Sequence, residues 1–119
     1  MRAELRGMDW YEPGILEKHS PDPSKPFMFQ INLSIGTEGG EGTNLFIVTV
    51  CNMKWLEENV TQGTFGFSHF IVKDFVYSEF EDAVVQFLTT CKGSTWTEMG
   101  LAVSRIGDWE YDYLVGRTS

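Results

Sequence analysis

Residues Leu45 to Val50 restrict the possible folds more than any other passage. Leu45, Ile47 and Thr49 form one alternate set, and Phe46, Val48 and Val50 form the other; both are largely apolar. A strand of that kind needs cover on both faces or a place in mid-sheet, so it is the expected central strand. Asn52 follows as a helix N-cap, for a short helix through Trp55, Leu56, Glu57 and Glu58. Trp55 and Leu56 are expected to fold that helix back onto the sheet, leaving both carboxylates in solvent.

The neighbouring elements follow from periodicity. Phe27, Phe29, Ile31, Leu33 and Ile35 alternate with Met28, Gln30, Asn32 and Ser34, the pattern of a half-buried strand with one wet face. The glycine-rich loop Gly36 to Thr43 then predicts an antiparallel hairpin into the central strand, with a mobile acidic tip at Glu38 and Glu41. Residues 1–11 read as a first strand, with a bulge at Gly7. The proline-rich stretch Glu12 to Pro26 is a long connection pinned by Ile15 and Leu16. Phe67 to Tyr77 reads as a further strand.

Ser78 and Glu81 fit a capping box for a helix whose stripe is Phe80, Ala83, Val84, Phe87, Leu88 and Cys91, closed by a left-handed Gly93. Thr95 and Glu98 offer a second box, before Trp96, Met99, Ala102, Val103 and Ile106, with Gly107 as the stop. Residues 108–113 alternate acid and aromatic, placing Trp109, Tyr111 and Tyr113 on the core side. The sum is an α+β fold: a mainly antiparallel sheet of four to five strands, with C-terminal helices packed on one face. At 119 residues, a single domain over 1–119 is expected.

Charge narrows the partners. Seventeen Asp and Glu against nine Lys and Arg give a net charge of −8. That surface repels nucleic acid and anionic membranes and draws in a basic protein. The N-terminus lacks the apolar core of a signal peptide, and no run is long enough for a membrane span, so a cytoplasmic protein is expected. Cys51 and Cys91 are read as buried free thiols.

Little in the chain points to chemistry. The loop GTEGGEG carries two glutamates, has no lysine and runs into a strand, whereas a phosphate loop runs into a helix. His19 and His69 have no neighbours at metal-ligand spacing, so neither a metal nor a cofactor is expected. The carboxylates Asp108, Glu110 and Asp112 stand apart from the rest. On one strand face they lie about 7 Å from each other, an array that repels itself and contributes little to folding. A partner interface and protection of a sheet edge both account for it.

Several passages together resemble the immunity protein 8 family of bacterial polymorphic-toxin and contact-dependent growth inhibition systems. They are MRAEL, FQINLSIG, the glycine- and glutamate-rich hairpin, FIVTVCNMKWLEEN, FSHFIVKDFVY, CKGSTW and SRIGDWEYDY, in that order. Met53 departs from the pattern, standing where many relatives carry a proline. The resemblance implies a non-enzymatic cytoplasmic protein that binds and neutralises a cognate toxin domain, one with a basic, nuclease-like surface. Asp108, Glu110 and Asp112, followed by Glu57, Glu58 and Glu98, are the expected contact residues. An accessory subunit of a larger assembly and a small ligand-binding domain are the alternatives.

Overall fold

The alternating passage becomes strand β2, Met28–Thr37, with Phe29, Ile31, Leu33 and Ile35 buried and Met28, Gln30 and Asn32 exposed. The computed structural model describes residues 1–10, 16–63 and 68–110. β2 pairs antiparallel with β3, Asn44–Cys51, over eight residues from Met28 opposite Cys51 to Ile35 opposite Asn44. On its other side β2 takes β1, Ala3–Asp9, also antiparallel, with a register shift between Leu5 and Gly7 where the bulge is expected.

β3 is the central strand. Along its second edge lie two short strands, β4 (His69–Ile71), which is parallel to it, and β5 (Asp108–Trp109), which is antiparallel. The expected strand from Phe67 to Tyr77 is therefore mostly connection. Phe67 is outside the described residues, and the chain bends at Lys73 and Asp74, after which Phe75 drops into the core. An apolar run without strict alternation does not hold one strand face, and here it divides between strand and core connection.

The core lies on one face of the sheet. Phe46, Val48 and Val50 of β3 meet the odd-numbered residues of β2, and the helices α2 (Tyr77–Thr90) and α3 (Trp96–Val103) close over them. Phe80, Val84 and Leu88 of α2 and Met99 and Val103 of α3 are buried, and Leu16 pins the long connection from a single 3-10 turn, Leu16–Lys18. Ile15 is outside the described residues. Cys51 and Cys91 are both buried and free, and loss of hydration pushes each thiol above its usual range.

Three local expectations are corrected. The box at Ser78 does not form, because the cap of α2 lies two residues earlier. Val76 occupies the N-cap without a side-chain bond, and Ser78 lies inside the first turn. Gly93 is not in the left-handed region; among the described glycines only Gly39 and Gly42 are. Gly93 is needed for space instead, since a Cβ there would stand 2.8 Å from both Glu98 Cβ and the Met99 nitrogen. The last helix ends at Val103, three residues before Ile106.

The short helix α1, Met53–Asn59, turns Trp55 and Leu56 to partial cover and leaves Glu57 and Glu58 exposed, the expected sides, but it buries no residue fully. α1 is anchored through its cap. Asn52 Oδ1 accepts from the N–H groups of Trp55 at 3.0 Å and Phe27 at 3.1 Å, while its Nδ2 donates to the Lys25 carbonyl at 2.8 Å. The second apolar set of β3 is partly covered: Leu45 is 39% exposed, and Ile47 and Thr49 are half-buried.

The hairpin tip is tethered. The Arg6 guanidinium donates to the carbonyls of Thr37, Gly40 and Gly42, gathering the turn under one side chain. Gly36 makes room for it, as a Cβ there would lie 2.7 Å from the guanidinium carbon.

Candidate functional site

β5 sets the geometry of the acidic ridge. Trp109 is the buried member, stacked on Phe46 with ring centroids 5.8 Å apart and set edge-on to Trp96 at 6.5 Å. Gly100 of α3 lets the helix backbone rest on the indole: a Cβ there would be 2.5 Å from the Trp109 ring. With Trp109 held inward, strand alternation turns Asp108 and Glu110 outward, and both are exposed. The expected division of acid and aromatic thus holds over Asp108 to Glu110. Tyr111, Asp112 and Tyr113 lie outside the described residues.

Neither described carboxylate stands idle. Asp108 accepts from the buried Ser68 hydroxyl at 2.8 Å, joining β5 to the start of β4 across the edge of β3. Ser68 has φ of 58°, a left-handed backbone uncommon for serine, and its carbonyl accepts from the Thr49 N–H. Glu110 Oε1 accepts from the Leu45 N–H at 2.9 Å, and the Glu110 N–H donates to the Leu45 carbonyl at 3.1 Å. Each carboxylate therefore has a local role while its remaining lone pairs face solvent.

The other expected contact residues are not brought to this corner. Glu57 and Glu58 are exposed on α1, which leaves from the opposite end of β3, about 20 Å from Leu45 along the strand. Glu98 sits in the first turn of α3 and forms the expected box at Thr95, with its carboxylate reaching one residue past the cap to Ser94. Thr95 Oγ1 accepts from the Glu98 N–H at 3.2 Å, and the Glu98 carboxylate accepts from the Ser94 N–H at 2.8 Å. Those bonds, the Ser94 N–H first and its hydroxyl second, hold the Glu98 carboxyl below the usual range.

Pairing shows a residue that sequence reading passed over. Asp9 of β1 lies opposite Asn32, Asn32 opposite Ile47, and Ile47 opposite Asp108. One register row therefore crosses four strands with a carboxylate at each end, on the face away from the helices. Asp9 alone carries no signal in sequence; only the non-local pairings place it in line with Asp108.

His19 packs among Trp10, Phe29 and Phe75, and loss of hydration lowers its pKa. His69 borders an apolar cavity of about 210 Å³ with Val48, Phe70, Phe80 and Phe87. Among the described residues no group of three or more His, Cys, Asp or Glu could hold a metal ion, and no helix is long and apolar enough to cross a membrane.

Comparison with known proteins gives one family. The family model described as Immunity protein 8 matches residues 3–113. No curated protein matches, and no solved structure matches.

Proposed function

The chain belongs to the immunity protein 8 family, and on that premise we propose that it binds a cognate bacterial toxin domain directly and blocks its action without chemistry of its own. Family membership over residues 3–113 is the observation that carries this reading. The family implies an immunity protein acting against a toxin. Direct contact, the character of the toxin and the place of action are our extension.

The charge supports a basic toxin. At −8 the protein accelerates encounter with a cationic surface such as the substrate channel of a nuclease, and Asp108 and Glu110 present carboxylates at an exposed sheet corner. Two free buried thiols suit a reducing compartment, in keeping with action in the cytoplasm of the producing cell.

The test is a growth assay. The C-terminal domain of the neighbouring reading frame is induced in a susceptible host, with and without this protein. Killing by the domain alone, growth on co-expression and co-purification of the two chains are the expected results. Killing that persists on co-expression breaks the pairing with that neighbour. Survival together with failure to co-purify overturns direct binding.

A further inference from the structure

Neither α2 nor α3 packs on the second face of the sheet, and away from its fully buried Cys51 end that face is partly open among the described residues. Gln30 and Asn32 of β2 and Leu45, Ile47 and Thr49 of β3 lie on it, with Asp9 and Asp108 at the ends of the row through Asn32 and Ile47. Leu45, 39% exposed, and the half-buried Ile47 are adjacent on this face and give the central strand an apolar centre between polar neighbours. Gln30 and Thr49 bond to each other at 3.4 Å, so the remaining surface is neutral and polar.

Charge decides which partner fits. β2, β3, β4 and β5 contain no Lys or Arg, and the one Arg of β1, Arg6, is committed to three carbonyls of the hairpin. Asp9, Asp108 and Glu110 stand around the face, with Glu4 paired to Arg6 further along β1, and the two aspartates are about 14 Å apart across three strand spacings. On the β1 side a hollow of about 510 Å³, lined by Asp9, Trp10, Met28, Phe29, Gln30 and Asn32, sets a carboxylate beside amide oxygens. Those oxygens suit a lysine or arginine side chain, through charge-assisted hydrogen bonds. A second copy of this chain fits poorly, because it would set carboxylate rows against each other between two molecules of −8 each.

We infer that this sheet face, open at Leu45 among the described residues, with Leu45 and Ile47 at its centre and Asp9, Asp108 and Glu110 around them, is the surface that receives the basic toxin domain. The inference rests on the toxin-binding reading and adds to it where the partner sits. The apolar centre supplies affinity, and the acidic frame supplies steering and orientation. The helix side and α1, with Glu57, Glu58 and Glu98, stay outside the contact.

The test uses single substitutions of equal charge change at exposed positions. Leu45→Lys and Asn32→Arg alter the proposed face, whereas Val85→Lys and Leu101→Lys alter the outer sides of α2 and α3, where the native residues are 45% and 42% exposed. Each full-length variant is checked by thermal melting and titrated against the purified C-terminal domain of the neighbouring reading frame. The two face variants are expected to bind about tenfold more weakly or worse, and the two helix variants within about twofold of the parent. Parent-like binding by both folded face variants overturns the inference while leaving toxin binding intact, as does a large loss from a helix variant alone. A parent protein that fails to bind that domain removes the toxin-binding reading for the pair, and the docking face falls with it. Sedimentation of the free protein covers the remaining occupant: a dimer disrupted by Asn32→Arg would assign the face to a second copy and overturn the proposal.

Discussion

At the scale of single residues, close approach decides more than conformational preference. Gly100 lies within α3, where alanine is normally the better helix former by about 1 kcal/mol. Its missing Cβ is occupied by the Trp109 ring, which is buried and has nowhere to move. Steric overlap outweighs propensity, and Gly100→Ala is expected to destabilise the fold by about 1–3 kcal/mol in urea titration. Glu98 gives a pH signature. Its folded carboxyl is held below the unfolded value by Ser94, so its contribution is fully present above the ordinary glutamate range. That contribution is lost as pH falls through the lowered folded value. Melts of the parent and Glu98→Gln should therefore differ near neutral pH and converge in acid. His19 shows the same direction at higher pH. Burial among aromatic rings favours its neutral form, so stability should fall as pH drops from above the ordinary histidine range toward the lowered folded value. His19→Phe should flatten that part of the profile.

At the scale of elements, what sequence could reveal depended on whether the signal was local. β2 was legible because period-two alternation and one-sided burial are the same fact seen twice. The α2 stripe was legible for the corresponding helical reason, although the position of its first residue was not, since Val76 and Tyr77 carry no capping signal. The exposure of Leu45 and Ile47 was hidden: an apolar side chain looks the same in sequence whether a helix or a partner covers it. The row from Asp9 to Asp108 was hidden too, because it exists only through three separate pairings. For α1, the cap matters more than the face. Asn52 serves Trp55, Phe27 and Lys25 together, and Asn52→Ala should cost about 2 kcal/mol, at the upper end for an N-cap, because the segment before β2 is released with the helix. Hydrogen exchange should quicken at the Phe27 and Trp55 amides in that variant, with little change in α3.

At the scale of the whole molecule, net charge and sheet geometry make a joint prediction about kinetics. Asp108→Lys and Glu110→Lys together should slow association with the toxin domain and reduce its salt dependence, more than an equal charge reversal at Glu57 and Glu58. Stopped-flow mixing at two ionic strengths separates these cases. Equal slowing by both pairs would mean that only total charge matters. Because β5 completes the edge of β3, Leu45 is bonded to a residue 65 positions later. A ribosome adding about 5–20 residues per second delivers Glu110 roughly 3–13 s after Leu45. The corner that frames the proposed docking face is therefore missing from the nascent chain while its hairpin is already outside the tunnel. Were a toxin domain to mature within that time, the cell would meet it with the docking corner of the antidote still unbuilt. Order and timing of synthesis, and not affinity alone, would then bear on survival.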